Sequence, residues 1–414
     1  MRAQVYRLCL LGWLIFVVTT IVAADARPAA SADFTQSASP RLIATTPAVT
    51  ESSWVNVRGP SAFDRIGLHR LAGSSSPAGP LVLFLSGTNM NGELPLTDPR
   101  HWLPLYLAVN GADVWSLDYR THFVPPQTAQ EQLSELREWT DALFVLDVDV
   151  AVDFILAKTG QHRLFIAGFS RGAAFAYLYA AAHAEKARGL VILDGFILRP
   201  GSIPGATGKA PSVYATDIGG RSLTSDKRTA LLEQVIRDPD GPAPIPKYRT
   251  ARDNLEHVVY ESKAFGGHGG LANPMGGYSD AVTLARVLIT YDRWWPAVQD
   301  YEDPLTAAVS RRLAGSKIPV MAFASTNIAP AWPMLVKRTA SATGAQPEVV
   351  VLSGWGHLDV LCGTHAQAQV YAPALAWLRQ RVAAQEGSGR AAAPSAASSA
   401  AGSLPAPTSQ STAR

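Results

Sequence analysis

Six continuous apolar runs limit how this chain can fold: LVLFLSG (81–87), ADVWSLDYR (112–120), RLFIAGFS (163–170), GLVILDG (189–195), IPVMAFAS (318–325) and EVVVLSG (348–354). A strand with one wet face alternates apolar with polar side chains. A run that is apolar in both phases belongs to a strand covered on both faces, as in a parallel sheet. Between the runs the period changes. Residues 133–160 repeat apolar side chains every three or four positions and end at Gly160, residues 173–187 are rich in alanine, and residues 364–385 repeat the helical pattern. Strands alternating with helices at this spacing predict an α/β fold with a mainly parallel central sheet flanked by helices.

The rhythm breaks once. Between Gly195 and Lys317 no comparable run occurs. That stretch holds helical patterns near Asp226–Arg237 and Ser279–Tyr291, a glycine-rich loop (265–279) and the aromatic sequence YDRWWP (291–296). Long connections of this kind are usually functional. Residues 196–316 are therefore expected to form a helical cap inserted between two sheet strands, with the core made by 51–195 and 317–385.

Both ends read differently. Residues 1–26 carry Arg2 and Arg7, an apolar stretch from Leu8 to Ala23, and the small-residue sequences ending at Ala24 and Ala26. This is the pattern of a secretory signal peptide, and it predicts export to the periplasm or medium, the alternative being an N-terminal membrane anchor. Membrane association is expected only if that segment stays attached. Residues 27–50 read as a linker, and 386–414, almost entirely Ala, Ser, Pro, Gly and Thr, as a disordered tail. Cleavage would remove Cys9 and leave Cys362 as the sole thiol, so no internal disulfide is expected. With a net charge of +3 over 414 residues and no dense Lys/Arg block, a nucleic-acid partner is excluded.

Gly168-Phe169-Ser170-Arg171-Gly172 stands where a strand pattern gives way to a helix pattern. A serine at such a turn is held in a strained conformation with its hydroxyl exposed, and the small residues two positions away let strand and helix approach. Ser170 is the candidate nucleophile. A serine needs a base. His357 follows the last apolar run in a glycine-containing loop and comes late in the chain, as the order Ser, acid, His requires. His268, in the glycine-rich loop, is its competitor and reads as a surface residue. His122 could line the pocket but comes too early to be the base. Asp194, at the end of the run after the serine, is the first candidate for the acid, and Asn327 the second. Asp359 reads as a cap of the final helix or of the loop before it. The oxyanion would be held by the backbone N–H of Arg171 and by that of Thr88 in the loop SGTNMNG (86–92), with Asn89 the alternative to Thr88. The Arg171 side chain would pair with Asp118 or Asp194, or attract a substrate carboxylate.

Together these residues resemble the α/β-hydrolase superfamily over about 80–195 and 317–385. DVDVAVDFILAKTGQHRLFIAGFSRG and GHLDVLCGTHAQAQVYAPALAWL are similar to the nucleophile and histidine segments of the acid (gastric and lysosomal) lipases. The resemblance implies Ser170 as nucleophile and His357 as base. It departs at Ser86-Gly87, where those lipases carry His-Gly, and after the run 318–325, where they carry an Asp. The expectation is a serine hydrolase acting on small-molecule or lipid carboxylic esters, needing no metal or organic cofactor. An amidase or peptidase, or an idle binding protein on the same scaffold, is the alternative.

Overall fold

The computed structural model describes residues 33–73, 79–197, 213–216, 225–261 and 279–391. The expected signal peptide 1–26, His268 with most of its glycine-rich loop, and the part of the expected tail beyond 391 lie outside the described residues.

The chain runs β1 (Thr35–Ile43), β2 (Val49–Val57), β3 (Arg65–Gly73), β4 (Leu81–Leu85), α1 (Leu103–Val109), β5 (Asp113–Asp118), α2 (Asp141–Thr159), β6 (Leu164–Phe169), α3 (Arg171–Ala182) and β7 (Ala187–Leu193). It continues with β8 (Val213–Ala215), α4 (Ser225–Arg237), α5 (Ala251–Glu256), α6 (Ala281–Leu288), β9 (Trp294–Pro296) and α7 (Ala307–Ser316). The last elements are β10 (Val320–Ser325), α8 (Trp332–Ser341), β11 (Glu348–Leu352), α9 (Asp359–Cys362) and α10 (Ala372–Ala391). Nine strands form one sheet in the order β1-β2-β3-β5-β4-β6-β7-β10-β11. From β5 to β11 the pairing is parallel, and β1, β2 and β3 extend it antiparallel. All six apolar runs lie in the parallel part.

Alternate side chains of those strands enter two separate cores. Val82 and Phe84 pack with α1, α10 and the insertion helices α4–α6. Leu81, Leu83 and Leu85 pack on the opposite face with α2, α3, α7 and α8. Both phases are apolar because both faces are covered.

Three boundaries differ from expectation. The expected linker 27–50 includes β1 and the start of β2. Eight of the nine β1 residues are exposed, so the strand carries no apolar alternation, and its pairing with β2 uses backbone bonds, the Arg41–Glu51 ion pair and a 2.8 Å bond from the Ser37 hydroxyl to that of Ser53. The helix expected from 133 begins at Asp141, where the Thr140 hydroxyl accepts from the Leu143 N–H; residues 134–138 form a separate 3₁₀ turn. Gly160 ends α2 at φ 67°, as expected. Helix α10 continues to Ala391, past the expected tail boundary at 386.

The insertion is also not a detached cap. Its last helix, α7, lies beside α3, and Leu313 enters the sheet core. Trp294 and Trp295 are buried, and the Trp295 ring contacts Tyr119 and Phe144. Trp294 and Trp295 of YDRWWP are therefore core side chains.

Candidate active site

Strand β6 and helix α3 meet at Ser170, whose φ of 52° and ψ of −117° lie outside the ordinary regions for a residue with a side chain. The neighbours impose this turn. A Cβ on Gly168 would stand 2.6 Å from the Gly172 carbonyl oxygen, and one on Gly172 would overlap the Leu85 and Ser86 carbonyls. A Cβ on Gly195 would overlap the Ser170 carbonyl. The Ser170 N–H donates to the Leu193 carbonyl at 3.0 Å, and the Ala173 N–H donates to the Ser170 carbonyl at 3.1 Å. The turn is thus packed from three sides.

His357 stands in the loop after β11, with Nε2 2.8 Å from Ser170 Oγ. Its ring lies 4.6 Å from Phe169 and 5.6 Å, edge to face, from Trp332. On the far side, Nδ1 lies 3.9 Å from Asp194 Oδ2, an ion-pair distance longer than a hydrogen bond. Asp194 is fully buried at the end of β7, with φ 48°. Ser325 fixes its carboxylate from the next strand: the backbone N–H donates to Oδ1 at 2.6 Å and the hydroxyl to Oδ2 at 2.5 Å. The strand that lacks the expected aspartate therefore supplies a serine that orients its neighbour's aspartate. Asn327 is buried close by, and its N–H donates to the Trp355 carbonyl at 3.0 Å. Among the described residues its side chain makes no hydrogen bond to His357.

The loop after β4 closes the other side. The Met90 N–H donates to the Gly87 carbonyl at 3.1 Å, and Asn89 adopts φ 62°. A Cβ on Gly87 would lie 3.1 Å from the Cβ of Ser170, so the loop passes directly beside the serine. Among the described residues, neither the Thr88 N–H nor the Arg171 N–H has a protein acceptor. Asn89 is turned elsewhere: its carbonyl accepts from the Asp292 N–H at 2.7 Å and its Nδ2 donates to the Asp292 carbonyl at 3.0 Å.

The Arg171 side chain does neither of the things expected of it. It is buried, forms an ion pair with Asp300, donates to the Gln299 carbonyl at 3.2 Å and lies 3.9 Å from Asp141. It meets neither Asp118 nor Asp194, and it is spent on the insertion rather than available to a substrate. Asp141 is pushed up to about 6 by burial, against the pull of Arg171.

Asp118 belongs to a different cluster. Burial opposes its charge, but His69, His122 and the Gly92 N–H outweigh burial and hold it at about 2. His69 Nε2 lies 2.9 Å from Asp118 Oδ2, and its Nδ1 lies 3.5 Å from Glu51 Oε1. His122 Nδ1 lies 3.0 Å from Asp292 Oδ1.

Asp359 lies beneath the histidine loop. Its Oδ2 accepts from the Gly356 N–H at 2.8 Å and its Oδ1 from the Ser279 hydroxyl at 2.6 Å. Burial pushes it up to about 7, these two donors offset part of that rise, and the charge of Asp194 adds to it. Besides starting the short helix α9, the carboxylate ties His357's loop to the insertion. Sequence reasoning missed Ser325, Asp292 and Asp300, because each meets its partner only in the folded chain, Ser325 across the sheet and the two aspartates through the insertion. A hydroxyl at the end of the strand FAST was the one available signal for Ser325. Among the described residues no group of three or more His, Cys, Asp or Glu side chains is arranged to hold a metal ion.

Comparison with known proteins agrees with the fold. Residues 80–213 match the family model described as alpha/beta hydrolase fold. A crystal structure of a candidate lipase from Sulfolobus solfataricus is 27% identical, with a TM-score of 0.69, over 84% of this chain and 99% of the other. An esterase from Thermogutta terrifontis (15% identity, TM-score 0.39, 83% and 99% covered) is a more distant match. So is a haloalkane dehalogenase variant from Bradyrhizobium elkanii (15% identity, TM-score 0.41, 82% and 99% covered). No curated protein matches the sequence.

Proposed function

We propose that this member of the α/β-hydrolase superfamily is a serine hydrolase that cleaves carboxylic esters through an acyl-enzyme. The observation that carries the reading is the 2.8 Å approach of His357 Nε2 to Ser170 Oγ at a strained strand-to-helix turn. That is the separation at which an imidazole takes a hydroxyl proton. The likeness to the candidate lipase adds support.

In this reading His357 removes the Ser170 proton as Oγ attacks the ester carbonyl carbon. The carbonyl π electrons move to oxygen, and the N–H groups of Thr88 and Arg171 stabilise the oxyanion. The tetrahedral intermediate then collapses, the carbon–oxygen bond to the leaving group breaks, and His357 returns its proton to the departing alkoxide. A water molecule repeats the sequence on the acyl-enzyme, releasing the acid and restoring Ser170. Asp194 stabilises the imidazolium from the Nδ1 side at 3.9 Å. Opposite charges attract, so this contact is expected to shorten when His357 gains its charge. Export following cleavage of residues 1–26 belongs to the same proposal.

The test treats purified protein with a fluorophosphonate and a series of p-nitrophenyl esters of increasing chain length. Labelling at Ser170, ester turnover, and loss of both in Ser170→Ala are expected. An unlabelled Ser170 beside a labelled control esterase would leave the fold as an idle binding scaffold. Turnover of matched anilides but not of esters would make it an amidase.

A further inference from the structure

Residues 279–300 of the insertion touch each of the three loops that assemble the site. At one end, the buried Ser279 hydroxyl donates to Asp359 Oδ1 at 2.6 Å, and Asp359 Oδ2 holds the Gly356 N–H next to His357. Helix α6 follows, started by Asp280, whose carboxylate accepts the Val282 and Thr283 N–H groups. Its apolar face is fixed in the core by Leu284, Val287 and Leu288. Just past its other end, the Thr290 carbonyl and Asp292 Oδ1 accept from Asn91 Nδ2 at 2.9 and 3.1 Å. Asp292 also exchanges two hydrogen bonds with Asn89, the residue after Thr88. Farther on, the Gln299 carbonyl and the Asp300 carboxylate receive the guanidinium of Arg171, whose N–H follows the nucleophile.

We propose that residues 279–300 are a positioning brace that sets the His357 loop, the Thr88 loop and the Ser170 elbow relative to one another, an inference that rests on the proposed catalytic roles of those loops. The three loops emerge from different strands, and the strand-end bonds that hold each of them singly, such as Ser170 N–H to the Leu193 carbonyl, do not link one loop to all the others. One short stretch of chain, anchored by a packed helix, is bonded to all three. Ser279, Asn91 and Asp300 are positioning residues in this scheme, since none of them touches the reacting atoms.

Three single variants test it: Ser279→Ala, Asn91→Ala and Asp300→Asn, with Ser279→Thr as the conservative control. Each preparation is titrated with a fluorophosphonate to count competent sites. Then kcat and KM are measured per titrated site, together with the Ki of a trifluoromethyl ketone that mimics the tetrahedral intermediate. Displacement of a catalytic group by about 1 Å can cost on the order of 100-fold. The expected result is a fall in per-site kcat of about 10- to 100-fold, with KM little changed. The ketone Ki should rise in step with KM/kcat, and Ser279→Thr should recover most of the loss. If the three variants lose only titratable sites, and the remaining sites keep wild-type kcat and Ki, the segment merely stabilises the fold and the brace is refuted. A stability control, Ile43→Ala at the base of β1, separates the two cases: it should lower Tm yet keep per-site kcat. Wild-type protein that neither labels nor turns over esters fails before any variant is made. That outcome overturns the catalytic reading and the brace together, whereas an active wild type with unaffected variants overturns the brace alone.

Discussion

His357 Nδ1 faces a carboxylate at 3.9 Å rather than a hydrogen-bonded partner, so in the proposed mechanism the charge on the imidazole is balanced by Asp194. Neutralising it in Asp194→Asn removes the carboxylate charge facing His357 Nδ1. Loss of a triad acid costs roughly 10,000-fold in kcat in well-studied serine hydrolases, and a drop of that order with fluorophosphonate reactivity strongly slowed is expected here. Asn327→Ala should leave turnover close to wild type. The reverse pattern would move the role to Asn327. Arg171 gives a second prediction at this scale. Its guanidinium is buried against Asp300 and Asp141, so Arg171→Gln leaves two carboxylates without their cation. Breaking such a pair typically costs about 3 kcal/mol. Urea unfolding should show a loss of that order, while the ratio of activities on charged and neutral esters stays unchanged. A shift in that ratio would restore Arg171 as a substrate-binding group. The meeting of Ser170 and His357, 2.8 Å apart in the fold, was legible from sequence because a local motif and the order along the chain point to that pair. Asp300 was not, because it meets Arg171 across 129 residues and only the folded insertion brings the two together.

The parallel strands were legible as elements because burial on both faces forces continuous apolar runs. The antiparallel extension was not, because β1 is almost wholly exposed and the inner strands β2 and β3 mix polar with apolar side chains. What joins β2, β3 and β5 is partly electrostatic. Burial works against a charge on His69, but Asp118 and Glu51 more than compensate and raise it from 6.5 to about 10. A group whose pKa is raised in the folded state contributes its full stabilisation below the unfolded value and loses it as pH climbs through the folded one. Stability should therefore decline from about pH 6.5 towards pH 10. His122 adds to the same decline: burial lowers it, but Asp118, Asp292 and Glu93 carry it up to about 9. On the acid side the sign reverses. Asp118 is depressed from 3.8 to about 2, so its contribution is present above 3.8 and lost as pH falls through about 2. Urea midpoints measured from pH 6 to pH 10 check the alkaline limb. His69→Gln should make the slope shallower without abolishing it, because His122 remains. An identical slope in the variant would mean that the β2–β3–β5 cluster does not control it.

For the molecule as a whole, the question is whether the insertion can move as a unit. A long connection between two strands suggests a lid, and that is how the sequence reads. The packing argues otherwise for its described part. Leu231, Leu255 and Leu284 belong to the same buried cluster as Val82 and Phe84 of the central sheet, while Trp295 and Leu313 belong to the cluster on the other face. The insertion therefore straddles the sheet instead of resting on it. Ion pairs and hydrogen bonds then stitch it to the loops after β4, β6 and β11. Elements that share one core and few exposed contacts open together, and separable units open at lower free energy. Native-state hydrogen exchange at rising urea distinguishes the two. The amides of Leu284 and Ala285 in α6 should merge with those of Val82 in β4 and Ile166 in β6 into one global opening. Fluorophosphonate labelling of Ser170 should vanish over the same range. If α6 exchanged at lower urea while Ser170 still labelled at full rate, the insertion would be a separable lid, and the site could be completed without it.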